Sequence, residues 1–369
     1  METGRGLPLW GKIGLACGMS DPRLLSQISL PERAYDTVGA FATPAGPLVL
    51  GKFHDGPVWA WDPQNSELRV TLLRHEGFDA HLADYLGEED LATVLAFAWH
   101  DGRALMLAGS KHDDPDEHVH DDGAECFDSS DEDLEMPAGG AVRLYDALTG
   151  ELVRGPFAAH DWDLWSVALL STPGGLVGLS GGGDGCRLVI AWDLDKGAMM
   201  GEPFEGHEDG VSGASLSLVD GRVIGATGSH DSGVRVWDVR ATGQLGEPWA
   251  LPGQVRVTLV TTVAGRAVIA AGGDFDGIHL RDLDTGEALP PIAGPPARAL
   301  AVLEHDGRSL IAGIGDDDVA RIWDPADGSE AAAPIPCHGD MLATTDVDGR
   351  ALVVVSGGEG VVQAWDPFA

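Results

Sequence analysis

The chain repeats itself about every 44 residues, and a repeat of that length limits what it can fold into more than its size does. Seven apolar runs end on an aspartate: Trp61-Asp62, Tyr145-Asp146, Trp192-Asp193, Trp237-Asp238, Arg281-Asp282, Trp323-Asp324 and Trp365-Asp366. Successive aspartates lie 84, 47, 45, 44, 42 and 42 residues apart. A second marker is a turn glycine, as in Val219-Asp220-Gly221-Arg222, which recurs at Gly46, Gly102, Gly174, Gly221, Gly265, Gly307 and Gly349. From each glycine to the aspartate that closes its unit the distance is 16, 44, 19, 17, 17, 17 and 17 residues. Two markers therefore keep one register through seven units.

Each unit reads as four short strands. In unit four they are expected near 200–204, 211–218, 222–227 and 233–237, rich in Val, Leu and Ile and separated by Gly and Asp turns. Helical periodicity is nearly absent. One small four-stranded sheet cannot bury its own faces, whereas seven packed around an axis can, and the ring shelters their edges. The expectation is an all-β chain: a single seven-bladed β-propeller of four-stranded antiparallel blades spanning residues 1–369.

Here the residues resemble the WD40-repeat β-propeller family. Its Gly-His occurs as Gly206-His207, with looser versions at Ala159-His160 and Cys337-His338, and its Trp-Asp closes five units. The resemblance implies a structural hydrogen-bond tetrad at His207, Thr227, Asp231 and Trp237, and a second at His160, Ser180, Asp184 and Trp192. Other units are degenerate: Arg281 replaces the Trp, and units five and six have no His at the Gly-His position of the tetrad. The last Trp-Asp stands three residues from the C-terminal residue, so the missing outer strand is expected from the N-terminal side. Thr3-Gly4-Arg5-Gly6-Leu7-Pro8-Leu9 resembles the outer-strand starts at Thr285-Gly286 and Thr242-Gly243, which predicts that residues 5–11 pair with 361–366 and latch the ring.

Unit two is enlarged twice. Residues 74–90 form a long connection with room for a short helix. Residues 111–140 interrupt the turn between the second and third strands, and their stretch 112–137 holds twelve acidic residues, three histidines and no Lys or Arg. With Val119, Phe127, Leu134 and Met136 against twelve acids, the stretch cannot support a core and reads as a disordered insertion. A segment that orders on a basic partner, or a cation held by His118 and His120, are the alternatives. The net charge is -36, which disfavours nucleic acid and anionic membranes and favours a basic protein or peptide. Cys17, Cys126, Cys186 and Cys337 show no C-x-x-C spacing and read as free thiols of a reducing, cytoplasmic setting. No apolar run reaches the ~20 residues of a membrane helix.

The turn glycines also serve as a ruler. Nine residues before them stand Thr37, Thr93, Trp165, Ser212, Arg256, Arg298 and Asp340. In proteins the chain resembles, that position rims the central channel on the narrower face. With Trp162 on the same connection as Trp165, the expected partner-binding set is Trp162, Trp165, Ser212, Arg256, Arg298 and Asp340. Trp and Arg are the residue types that dominate interface energies, although Asp274, Asp276 and Asp316 to Asp318 lie close enough to neutralise the arginines. The rim has two Thr, one Ser, one Trp, two Arg and one Asp, a poor metal set, so neither metal nor cofactor is expected. Gly178-Leu179-Ser180-Gly181-Gly182 matches G-x-S-x-G but lacks the strand-to-helix context of a nucleophile elbow. Asp193-Leu-Asp195 and Asp282-Leu-Asp284 lack the distal Glu of a calcium loop. The reading is a non-catalytic protein-protein interaction scaffold, monomeric on its own, that binds a basic or peptide partner on the narrower face. The alternative is a hydrolase or lyase with a metal or polar site at the channel mouth.

Overall fold

The computed structural model describes residues 21–30, 34–53, 58–64, 67–71, 94–109, 140–158, 160, 163–183, 186–337, 339, 341–356 and 360–369. They form seven antiparallel sheets of four or five strands and no helix. The innermost strands, in chain order, are Ala34–Thr43, Val94–His100, Leu164–Thr172, Gly213–Val219, Val255–Val263, Ala297–His305 and Met341–Val347. Each contacts the innermost strands of the two neighbouring blades, and that of blade one contacts that of blade seven, so the ring closes. Sequence unit and blade are offset by one strand. The outer strand that opens a unit, such as Ala198–Met199, pairs with the preceding blade at Trp192 and Asp193. Residues 200–204, expected as a strand, contribute only the bridge from Phe204 to Val189.

The ring is closed by an N-terminal strand, but by Leu24–Ser29, which pairs with Val361–Trp365 in blade seven. This corrects the expected pairing of residues 5–11, which lie outside the described residues, because the free edge of Val361–Trp365 is already occupied. The physical reason is burial. Ser26, Ile28 and Leu30 alternate into the interior at 3%, 4% and 7% exposure.

Among the described residues the core divides into seven clusters, one in each seam between adjacent blades. Second strands are flanked on both faces and are buried almost throughout, as in Arg222–Gly228 and Gly175–Gly182. The hairpins joining first and second strands explain the glycine marker. Asp101, Asp220, Ala264, Asp306 and Asp348 have φ between 47° and 54°, and the glycine after each has φ between 70° and 78°, as a two-residue type I′ turn requires. In blade three the positive φ falls on Gly175 and not on Gly174, one residue from the expected marker.

The two sequence markers prove to be physically joined. The arginine after the turn glycine forms an ion pair with the Trp-Asp aspartate of its own blade: Arg103 with Asp146 (2.9 Å), Arg222 with Asp238 (2.8 Å), Arg308 with Asp324 (2.9 Å), Arg350 with Asp366 (3.5 Å), and Arg266 with Asp282. The odd dipeptide Arg281-Asp282 also finds its reason. Phe157 stacks on Trp192 of the next blade at 5.6 Å and Phe204 on Trp237 at 4.7 Å. At the corresponding seam the Arg281 guanidinium lies over the Trp249 ring at 5.9 Å, so a cation replaces an aromatic ring in the same stack.

Candidate binding face at the channel mouth

The first residues of an innermost strand pair with the last residues of the second strand: Leu164 with Gly182, Gly213 with Gly228, Val255 with Gly273, Ala297 with Gly315. The turn into the third strand therefore lies beside the rim position of its own blade. Adjacent blades are tied together at this end. Val211 N donates to Gly182 O (2.9 Å), Val255 N to Ser229 O (3.1 Å) and Ser166 Oγ to Val211 O (2.7 Å).

Four of the expected partner-binding residues can be placed here. Trp165 is half-buried and packs on His230 of the next blade, with ring centroids 4.9 Å apart at 53°. Gly183 and Gly210 flank its ring closely enough that a Cβ on either would collide with it. Ser212 donates to the Val255 carbonyl across the seam. Arg256 lies 2.5 Å from Asp274, with both groups substantially exposed. Arg298, 26% exposed, reaches Asp318 (3.0 Å), Asp316 (3.3 Å) and the Gly315 carbonyl (2.9 Å). Each arginine is thus held by the acidic turn of its own blade. Beside them, Asp317 pairs with Arg321, which holds its carboxyl below the usual carboxylate range. Blade six presents three carboxylates, Asp316 to Asp318, against two guanidinium groups. Trp162, Thr93 and Asp340 lie outside the described residues, as do the connection 74–90 and the acidic stretch 112–137. Their points of attachment are described: the second strand of blade two ends at Gly109 and the third begins at Ala141.

His230 escaped the sequence reading, although a signal for it exists. An 18-residue offset links each rim position to its own turn: Trp165 to Gly183, Ser212 to His230, Arg256 to Asp274 and Arg298 to Asp316. What the offset cannot reveal is that Trp165 leans across the seam onto the histidine of its neighbour.

The tetrad of blade four is fully formed. Trp237 Nε1 donates to Thr227 Oγ1 (2.9 Å), His207 Nε2 lies 2.9 Å from the same hydroxyl, and His207 Nδ1 lies 2.9 Å from Asp231 Oδ2. A carboxylate only accepts, so Nδ1 carries the hydrogen and, in the neutral ring, the threonine donates to Nε2. Burial of Asp231 works against its charge, but hydrogen bonds from His207 and from the backbone of Glu208 and Gly233 overcome this and hold its pKa at about 2. In blade three, Trp192 Nε1 donates to Ser180 Oγ (2.8 Å), which lies 2.8 Å from His160 Nε2. His160 Nδ1 is 3.3 Å from Cys186 Sγ, while Asp184 lies outside the described residues. Burial pushes the His160 pKa down to about 4. Ser180, fully buried inside this network, is not presented to a substrate. Trp61 and Trp365 occupy the same blade position, yet their Nε1 atoms have no partner among the described residues. Among the described residues, no three His, Cys, Asp or Glu side chains are grouped as a metal would need.

The family model described as "WD domain, G-beta repeat" matches residues 200–238, the segment that carries the complete tetrad. Solved structures share the fold across the chain. One titled as the Mitotic Checkpoint Complex is 16% identical with a TM-score of 0.68, covering 97% of this chain and 99% of that one. The WD40 beta propeller domain of Doa1 is 15% identical with a TM-score of 0.63, covering 93% and 96%. The computationally designed Ika8 protein is 18% identical with a TM-score of 0.57, covering 93% and 99%. No curated protein matches the chain. A repeat that matches the WD domain model, with its tetrad intact, is thus carried in a closed ring of seven antiparallel blades, the β-propeller fold, and the chain is similar to WD40-repeat propellers.

Proposed function

We propose that this propeller is a non-catalytic scaffold that docks a basic protein or peptide segment on the face holding Trp165, Arg256 and Arg298. WD40 propellers typically serve protein interactions. The observation that carries it is the pairing at the mouth: Arg256 and Arg298 are engaged by Asp274, Asp316 and Asp318, so these two arginines are not a free positive site for an acidic ligand. The remaining field, from a chain of net charge -36, attracts cations. Trp165 and His230 supply an aromatic surface beside these acidic turns, of the kind that anchors a partner side chain. The acidic stretch 112–137 arises from the same end of blade two and extends the field. A cytoplasmic setting belongs to the same proposal and is supported by the free thiols of Cys186 and Cys337.

The test is affinity capture from the native host, with partners identified by mass spectrometry. The wild-type chain is compared with a Trp165→Ala, Asp316→Asn, Asp317→Asn variant and with a chain lacking residues 112–137. Basic partners held by the wild type and lost from the first variant are expected. An unchanged partner set, or partners that are acidic, would overturn the reading.

A further inference from the structure

The end of the ring opposite the mouth carries the hairpins between first and second strands and the turns that follow each Trp-Asp. At this end the position two residues past the Trp-Asp aspartate reaches the hairpin of the preceding blade in blades three, four and seven. In blade four it is Arg240, whose guanidinium donates to the Gly174 carbonyl (3.1 Å) and to Thr172 Oγ1 (3.3 Å) of blade three. In blade seven it is Phe368, whose ring stacks on His305 of blade six at 3.6 Å and 10°. In blade three it is Asp195, facing blade two.

His100 of blade two is the counterpart of His305, since each precedes an Asp-Gly-Arg turn. The six–seven seam is filled by a phenyl ring and the three–four seam is clasped by a guanidinium. The two–three seam has neither. It opens into a cavity of about 510 Å3 lined by His100, Asp101, Ser171, Thr172 and Asp195. Its walls are set in place. Asp195 Oδ2 accepts from Leu176 N (2.9 Å), which leaves Oδ1 turned toward His100 Nε2 at 4.0 Å. Asp101 Oδ2 is 3.6 Å from the same nitrogen, and His100 Nδ1 lies 2.9 Å from Ser171 Oγ. The His100 side chain is only 16% exposed, whereas the Asp101 and Asp195 side chains are 89% and 50% exposed and within reach of a ligand.

Two carboxylates and a hydroxyl around one cavity favour a ligand that is cationic and rich in donors. A planar guanidinium offers five N–H donors in a fixed fork, spread over a wider span than the three donors of a compact ammonium, and so suits acceptors set on different walls of one cavity. The chain supplies its own precedent one seam away, where Arg240 clasps the neighbouring hairpin. We propose that the notch between blades two and three binds a guanidinium group, borne by an arginine side chain of a partner or by a small alkylguanidine. This site is at the far end of the ring from the mouth and stands whether or not the mouth binds a basic partner.

The test is calorimetric titration of the full chain with agmatine, and separately with an acetyl-Gly-Arg-Gly amide. Saturable binding of one equivalent is expected. It should weaken by about tenfold or more in Asp195→Asn, which keeps an acceptor for Leu176 N, and clearly in Ser171→Ala. Asp316→Asn, which removes the same charge at the opposite end, should change it less than about twofold. Tighter binding of the peptide assigns the site to a protein arginine, and equal or tighter binding of agmatine assigns it to a small molecule. No saturable binding of either probe, or equal weakening by Asp195→Asn and Asp316→Asn, overturns the proposal. Should Asp195→Asn lower the melting temperature, Ser171→Ala decides.

Discussion

Removing Leu24–Ser29 should loosen the whole ring, because this strand joins the two ends of the chain's blade order. Ile28 and Leu30 are 4% and 7% exposed and pack with Val362, Ala364, Trp59 and Trp61 in the seam between blades seven and one. Returning two such side chains to water forfeits about 1.5–3 kcal/mol each, together about 3–6 kcal/mol. That is a large share of the roughly 5–15 kcal/mol that stabilises a typical domain. For a chain of 369 residues, about 2.1 cal/mol/K per residue gives an unfolding entropy of roughly 0.8 kcal/mol/K. Deletion of residues 1–30 should therefore lower Tm in differential scanning calorimetry by about 4–8 °C. Ile28→Ala alone, at about 2–4 kcal/mol, should lower it by about 3–5 °C. Deletion of residues 1–20 leaves the strand in place and is the matched control. If that shorter deletion lowers Tm as far as the longer one, Leu24–Ser29 is not what closes the ring. If Ile28→Ala moves Tm by less than about 1 °C, the burial argument fails.

Thr227→Val should cost about 2–4 kcal/mol in urea unfolding, because it strands the buried Trp237 N–H and the His207 ring nitrogen together. A cost under about 1 kcal/mol would show that the tetrad contributes little. His160 stays neutral in the fold down to about pH 4, whereas an unfolded histidine takes up its proton near pH 6.5. Its contribution is thus fully present above about pH 6.5 and is lost as pH falls toward 4, on the order of 3 kcal/mol, and His160→Gln should flatten that limb of the stability profile. Asp231 acts lower, its contribution present above about pH 4 and lost toward its folded value of about 2, so Asp231→Asn should flatten only the acid limb. Arg308→Ala breaks an ion pair that is 57% exposed on the arginine side and should cost less than about 1 kcal/mol. Elemental analysis should find no stoichiometric metal, and a metal lost on Asp340→Ala or on deletion of 112–137 would favour an enzyme at the channel mouth.

The ring was legible because its two markers are set by backbone necessity. The hairpin glycine is dictated by positive φ, and the aspartate after the Trp is held by the arginine of that hairpin. Because Arg222 and Asp238 are 16 residues apart and belong to no named motif, they looked like separate signals. Outer strands are harder to read, since they are short, partly exposed and paired on one side. Leu24–Ser29 has one fully buried apolar residue, Ile28, with Leu30 just beyond the strand, while Leu24 is only partly buried and Ser26 takes the inward position between Leu24 and Ile28. The ruler set Trp165, Ser212, Arg256 and Arg298 at the starts of innermost strands, but contacts across seams follow from the assembled ring. Trp165 on His230 and Asp195 beside His100 each join residues of different repeats, which no single repeat encodes.

The most direct test of the docking proposal is the association rate of the captured partner, measured by stopped flow from low to high salt on the wild-type chain and on the Asp316→Asn, Asp317→Asn variant. Acidic steering predicts a rate that falls steeply as salt rises, and a lower rate with a shallower slope in the variant. A rate that does not change with salt, or a variant that behaves as the wild type does, would contradict it.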